Sequence, residues 1–209
     1  MVVAVGEEHV RRLRECLANG GVAVFPTDTV YGLGCDPDCR AAVERLYQLK
    51  GRPPDRPAAV MFFTLSAALG ALPELGGRER TALRALLPGS VTLLLPNRDR
   101  RFPLACGPDP SVLGLRVPLL GRSLRPLRGV PGALLQSSAN FSGGRDARRL
   151  AEVPAKLRQQ ADLVLDGGEL PGVASTVVDL RDFGESGAWR LLREGLLPAQ
   201  AVAHALTPC

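Results

Sequence analysis

Val10, Leu13 and Leu17 recur at three- and four-residue intervals, which places them on one face of a helix that Gly20-Gly21 closes. Val22-Ala23-Val24-Phe25 is an unbroken apolar run of strand length, ended by Pro26. A second helix is predicted from about Asp38 to Lys50, with Val43, Leu46 and Tyr47 inward. The run Ala58–Phe63 predicts another strand, and further strands are predicted at Val91–Leu95, Val112–Val117, Ala133–Gln136, Leu163–Leu165, Thr176–Leu180 and Trp189–Leu192. Helical stretches fall between several of these, near Arg78–Leu87, Arg122–Leu127 and Val153–Gln160, and the Arg/Pro-rich stretch Arg98–Pro110 reads as a surface loop. Strands alternating with helices across short Gly/Pro connections predict an α/β fold with a mixed sheet in one domain.

Composition narrows the class. A chain of 209 residues with 45% hydrophobic and 22% charged residues is globular and able to bury a core, which excludes a disordered chain. No apolar run approaches the roughly 20 residues that span a bilayer. The start, Met1 to Glu8, lacks a basic segment and soon turns acidic, so the expectation is a soluble, cytoplasmic protein with no membrane partner. The net charge is +5, and 24 of the 26 cationic residues are arginine. A GC-rich or thermophilic background accounts for that bias; so does an anion-binding surface, because arginine forks onto phosphate. Cys16, Cys35, Cys39, Cys106 and Cys209 show no paired spacing, so free thiols in a reducing compartment are expected, with Cys35 packing as a small hydrophobe. With only His9 and His204, both near the termini, a histidine-centred triad or metal site is not expected.

Familiar nucleotide loops are absent. Neither lysine stands in a Gly-Lys-Ser/Thr context, and Gly32-x-Gly34 meets Pro37 where a dinucleotide fingerprint needs its third glycine. Four other segments carry chemistry. Pro26-Thr27-Asp28-Thr29-Val30-Tyr31-Gly32-Leu33-Gly34 follows a strand, where ligands collect in α/β sheets. It is either a ligand-orienting loop or a proline-initiated turn running into a Thr/Asp helix cap. Lys50-Gly51-Arg52-Pro53-Pro54-Asp55-Arg56-Pro57 sets three cations on a proline-stiffened loop, suited to clamping phosphate. The alternative is a basic last turn that complements the helix dipole, which covers Lys50 but not the arginines. Gln136–Gly144, rich in Ser, Asn and Gly, permits close backbone approach to an anion or ribose, or forms an Asx/Ser turn. The fourth is Ala174–Asp179 with Arg193 beyond it, where a lone arginine is as readily a surface residue. Hydroxyls, cations and an amide on several strand ends, without a nucleophile–base pair, suit the binding and positioning of charged small molecules.

In this order the motifs resemble the YrdC/Sua5 family, the threonylcarbamoyl-AMP synthases of tRNA modification. They are Phe25–Leu33, Lys50-Gly51-Arg52-Pro53, Pro88-Gly89-Ser90-Val91-Thr92, Leu115–Pro118, Ser138–Gly143, Ser175–Asp179 and Leu192–Gly195, spread from about Gly20 to Gly195. The resemblance implies a YrdC-like α/β fold, a twisted mixed sheet with flanking helices and a concave basic cavity, as a single domain across residues 1–209. It implies synthesis of threonylcarbamoyl-AMP and pyrophosphate from L-threonine, bicarbonate and ATP with Mg²⁺, and no metal site on the protein. The product passes to a separate transferase complex that modifies the adenosine beside the tRNA anticodon. By motif position, Thr29 contacts threonine with Thr27 and Tyr31 shaping that pocket, Arg116 meets its carboxylate and Ser175 also touches it. Lys50, Arg52 and Arg193 face ATP, Ser138 and Asn140 sit between the two substrates, and Arg56 and Arg148 fall near ATP-touching positions. Lys50, Arg52, Ser138 and Asn140 form the catalytic set.

Two departures stand out. Met61 occupies the place of a family histidine, which removes or replaces one threonine-side contact, and Glu194 puts an acid beside Arg193. They leave open a YciO-type paralogue, with the same cavity and a different substrate. A further alternative is a non-catalytic module for tRNA or double-stranded RNA, though only 4% of the residues are aromatic and available for base stacking.

Overall fold

The computed structural model describes residues 5–207; Met1–Ala4, Pro208 and Cys209 lie outside them. Helix α1 (Glu7–Ala18) buries Val10, Leu13 and Leu17 as predicted, and His9 Nδ1 accepts the backbone N–H of Gly6 at its entrance, 3.1 Å away. Strands follow at β1 (Ala23–Pro26), β2 (Tyr31–Cys35), β3 (Ala59–Phe62), β4 (Val91–Pro96), β5 (Val112–Arg116), β6 (Ala133–Ser138), β7 (Leu163–Val164), β8 (Thr176–Asp179) and β9 (Arg190–Arg193). The remaining helices are α2 (Arg40–Lys50), α3 (Leu65–Ala71), α4 (Gly77–Leu86), α5 (Ala155–Gln160), α6 (Phe183–Ser186) and α7 (Ala199–Leu206). Gly51 ends α2 with φ +58°, a left-handed position that turns the chain sharply into the basic loop.

The strands form one nine-stranded mixed sheet in the order β7-β1-β2-β6-β3-β5-β4-β8-β9, with parallel pairs at β1/β7, β3/β5 and β4/β8. Alternation decides what each face carries. In β4, Val91, Leu93 and Leu95 are fully buried while Thr92 and Leu94 on the opposite face are half-buried. Cross-strand register carries that second face across the sheet, through Val177, Thr92, Arg116, Ala59, Gln136 and Ser138. Five strands, β8, β4, β5, β3 and β6, thus contribute to one face, which is polar or small at every named position but Val177.

Three expectations change. The Pro26–Gly34 segment does not run into a helix cap: Pro26 pairs with Tyr31, so β1 and β2 form an antiparallel hairpin around Thr27–Val30. Gly32 and Gly34 disguise β2, since strands ordinarily favour β-branched residues. They are needed there because a Cβ at Gly34 would stand 2.8 Å from the Phe25 ring and one at Gly32 3.0 Å from Gln136 Nε2. The stretch after Arg122 is a 3₁₀ helix (Arg125–Gly129), not an α-helix, because its buried Leu124, Leu127 and Val130 recur every three residues. Arg98–Pro110 is not merely a surface loop, since the buried Asn97 amide donates to the carbonyls of Arg101 and Pro110, both at 2.9 Å, and Ala105 and Cys106 are buried.

Leu93 is fully buried in the centre of the sheet between Leu115 and Val178. Leu93→Ala is expected to cost about 2–5 kcal/mol. Urea unfolding checks it: the midpoint should fall with an unchanged slope.

Candidate functional site

The polar face of the sheet floors a cleft of about 250 Å³. Arg116 and Gln136 rise from its floor, Arg52 stands on one wall, and Ser175 and Arg193 on the other. Arg116 is buried against Asp28, with Nη2 2.9 Å from Oδ1 and both side chains almost wholly out of water. Its Nη2 also donates to Thr29 Oγ1 at 3.1 Å and Nη1 to Gln136 Oε1 at 3.2 Å, while its buried Nε has no partner. Burial lowers the proton affinity of the guanidinium, and Asp28 opposes that shift. Asp28 in turn accepts from the Ser90 hydroxyl at 2.8 Å and the Leu119 N–H at 3.2 Å. The carboxylate thus accepts three hydrogen bonds, and the arginine retains an unpaired donor.

The loop that presents Asp28 is held by one hydroxyl. Thr27 Oγ1 donates to the Val30 carbonyl at 2.7 Å and accepts the N–H groups of Thr29 and Val30. A strap from the far side of the hairpin is tied to it, with Gly172 N–H donating to Thr29 O at 2.9 Å. The Tyr31 hydroxyl lies 2.9 Å from both Asp166 Oδ1 and Gly168 O and accepts the Gly167 N–H, so it fastens that strap and does not line the cleft. Burial raises the phenol above its ordinary range.

Lys50 does not serve as an exposed counter-charge to a helix dipole. It is 1% exposed, and its ammonium faces the carbonyls of Ser138 and Asn140 and the Asn140 side-chain oxygen, the last two at 2.8 and 2.9 Å. An ammonium has three protons, and here three protein oxygens face them. Lys50 therefore pins the Ser138–Asn140 turn and lends the cleft its charge from behind. The Ser138 hydroxyl donates to Asn140 Oδ1 at 2.7 Å, and the Asn140 amide donates to Gly144 O and Asp146 Oδ1. Burial, reinforced by the Arg52 charge and opposed by Asp146, brings the Lys50 ammonium down to about 8.

Arg52 donates to the carbonyls of Arg56 and Pro57 and lies over the Tyr47 ring, its Cζ 5.8 Å from the centroid. On the opposite wall the Arg193 guanidinium donates to Ser175 O at 2.8 Å, and the Ser175 hydroxyl meets Thr92 Oγ1 at 2.8 Å. Gly195 permits this wall, because a Cβ there would lie 2.2 Å from the Ala174 carbonyl oxygen.

Of the residues proposed from sequence, Arg52, Arg116, Ser138, Ser175 and Arg193 line the cleft. Thr27, Thr29, Lys50 and Asn140 stand directly behind, bonded to those residues or to one another. Tyr31, Arg56 and Arg148 are elsewhere: Arg56 is exposed and the loop uses its backbone N–H and carbonyl, while Arg148 is ion-paired with Glu169 outside the cleft. Asp28, Thr92, Gln136 and Asp146 were not singled out, although each lies within or beside a quoted motif; only the fold shows which way they face. Met61 is fully buried, paired in register with Arg116. The Glu194 carboxylate turns from Arg193 to accept the Ala199 N–H at 2.8 Å, at the start of α7. Among the described residues, no group of three or more His, Cys, Asp or Glu could hold a metal ion, and no helix is long and apolar enough to cross a membrane.

The family model described as telomere recombination, that of Sua5, YciO and YrdC proteins, matches residues 15–195. A threonylcarbamoyl-AMP synthase of Stenotrophomonas maltophilia is 36% identical over 163 residues, covering 76% of this chain and 85% of that protein. Among solved structures, the P. abyssi Sua5 protein complexed with L-threonine superposes with a TM-score of 0.83 at 27% identity. It covers 96% of this chain, which spans 58% of the Sua5 chain. The E. coli YciO structure superposes with a TM-score of 0.77 at 25% identity, covering 96% of each chain.

The buried Lys50 gives a pH prediction. Its folded value of about 8 lies below its ordinary 10.5, so between those values the unfolded chain binds more protons and stability rises with pH. The Nζ resonance, followed by NMR, is expected to titrate near pH 8 and to move upward in Arg52→Ala; a midpoint near 10 in the parent would contradict the burial of this charge.

Proposed function

The chain belongs to the Sua5/YciO/YrdC family, and from that premise we propose that it is a threonylcarbamoyl-AMP synthase, a nucleotidyltransferase that serves tRNA modification. The observation that carries this reading is the convergence of Arg52, Arg116 and Arg193 on one cleft whose floor arginine keeps a buried, unpaired Nε. Carboxylate and phosphate oxygens are the acceptors that such a set of guanidinium groups takes, with Ser175 on the cleft lining and Thr29 behind it, bonded to Arg116. At about 250 Å³ the cleft suits threonine and the reacting phosphate, so the adenosine extends over the rim.

In the reaction, threonine's amine and bicarbonate form a carbamate and water. A carbamate oxygen then attacks the α-phosphorus of ATP, a new P–O bond forms, and the bond to the leaving pyrophosphate breaks. No protein nucleophile is required. Negative charge grows on the phosphoryl and leaving oxygens, and Arg52 and Arg193 stand on facing walls to stabilise it. Lys50 adds charge through the Ser138–Asn140 turn it holds. Mg²⁺ travels with ATP as part of the substrate, its further ligands being phosphate oxygens and water. The labile adenylate then passes to a separate transferase. Arg56 and Arg148 retain a role only toward the outlying adenosine.

Purified protein with ATP, Mg²⁺ and bicarbonate is expected to release pyrophosphate only when L-threonine is added, with serine a poorer substrate. Arg52→Ala and Arg193→Ala should each lower the rate about a hundredfold or more. ATP binding without threonine-dependent release would overturn the synthase reading in favour of a YciO-type activity.

A further inference from the structure

The cleft suits anions, yet one of its side chains carries a negative charge. Among the described residues, Asp146 is the one acidic residue that lines it, together with Arg52, Arg116 and Arg193. Asp28, behind the floor, is paired with Arg116. Asp146 forms no ion pair among the described residues, and its one hydrogen bond there is accepted by Oδ1 from the Asn140 amide at 3.2 Å. Its other oxygen, Oδ2, has no protein donor among them.

The carboxylate is held from both sides. Asn140 Nδ2 also donates to Gly144 O at 2.6 Å, and Gly144 N–H closes the turn on Phe141 O at 2.8 Å. On the far side the carbonyl of buried Ala147 accepts the Tyr31 N–H at 2.9 Å. The same Asn140 faces the Lys50 ammonium with its Oδ1, 2.9 Å away. Lys50 feels the charges of both Arg52 and Asp146, which act on its proton in opposite directions, so the three charges share one part of the cleft.

This placement decides the partner. Phosphates drawn to Lys50 and Arg52 are repelled by a bare carboxylate beside them. A cation between the two removes the conflict, and ATP brings one. Mg²⁺ keeps several waters and uses one or two carboxylates together with substrate phosphates, without a dedicated protein cage. A single aspartate fits that mode in a chain whose described residues hold no metal-binding cluster. The ammonium of threonine is the other cation among the substrates. Arg116, which suits its carboxylate, is bonded to Gln136, about 7 Å back along β6 from Ser138 and farther from the Asn140–Asp146 contact. We infer that Asp146 is a positioning residue for the metal of the nucleotide: its carboxylate accepts hydrogen bonds from the water shell of the Mg²⁺ that ATP carries and so seats the phosphates against Lys50 and Arg52. The contact is through water, so the metal arrives and leaves with the nucleotide. The choice of ATP rests on the synthase reading.

Calorimetric titration with ATP, once in Mg²⁺ and once in EDTA, tests this without turnover. The parent is expected to bind ATP more tightly with Mg²⁺ than without. In Asp146→Asn that preference should shrink about tenfold or more, the effect of losing an outer-shell partner of a metal. The loss should fall on Mg²⁺-ATP alone. Metal-free ATP should bind no more weakly than to the parent, because a negative charge beside the phosphates is gone. The Mg²⁺ concentration that half-saturates pyrophosphate release should rise by a similar factor, while the threonine KM and the urea midpoint stay as in the parent. Asp55→Asn, which removes an exposed carboxylate outside the cleft lining, should keep the parent's preference. An undiminished preference in Asp146→Asn, the same loss in Asp55→Asn, or a parent that binds no ATP or binds it regardless of Mg²⁺ would each overturn the proposal. So would a loss that is equal with and without Mg²⁺, which marks a ribose contact or a distorted cleft, or one confined to the threonine KM, which marks an ammonium contact. A parent that binds Mg²⁺-ATP as expected but releases no pyrophosphate counts against the synthase reading and leaves this inference standing.

Discussion

The cleft depends on the buried ion pair between Arg116 and Asp28. Taking both charges out of water is costly, and their mutual attraction offsets it only when the remaining polar atoms are also satisfied. Asp28 meets that condition through Ser90, Leu119 and Arg116, which join the β1–β2 loop to the ends of β4 and β5. Arg116 meets it incompletely, with one buried N–H unpaired. The pair therefore locks three separate loops around the sheet floor while leaving one buried donor of Arg116 unpaired.

Lys50 repeats this logic at the opposite end of the floor. Its charge is buried under the Ser138–Asn140 turn and held by carbonyls and an amide oxygen, without a directly paired carboxylate. Without a close anionic partner, burial depresses its proton affinity, and an incoming phosphate would raise it again. Arg52 and Arg193 differ in being only partly spent, each donating to backbone carbonyls on facing walls. The site is thus electropositive because its cations are held by neutral oxygens more than by acids.

The departures from the family pattern have structural explanations of different weight. Glu194 sits next to the cleft arginine in sequence, yet its carboxylate is drawn to the free N–H at the start of α7. Met61 is a genuine change of chemistry: a fully buried thioether beside Arg116, where a histidine would add a polar group.

Periodicity alone determined most of the architecture. The α1 stripe of Val10, Leu13 and Leu17, the α2 stripe and eight of the nine strands are legible because each carries an apolar set, which all but the exposed edge strand β9 bury. The motif order identified the family, and with it the cations of the cleft. Strand β2 was not legible, because Gly32 and Gly34 carry no hydropathy signal and exist to admit neighbours that only the folded chain brings near. The same limit applies to the site. Sequence names Lys50, Tyr31 and Arg193 by motif and Arg148 only by its nearness to such positions, since it records residue type and order. Tertiary structure alone decided that Lys50 is buried behind a turn, that Tyr31 fastens a strap, that Arg148 is spent on Glu169 and that Arg193 faces the cleft. Charge, burial and hydrogen-bond saturation depend on what register and packing bring together from distant parts of the chain.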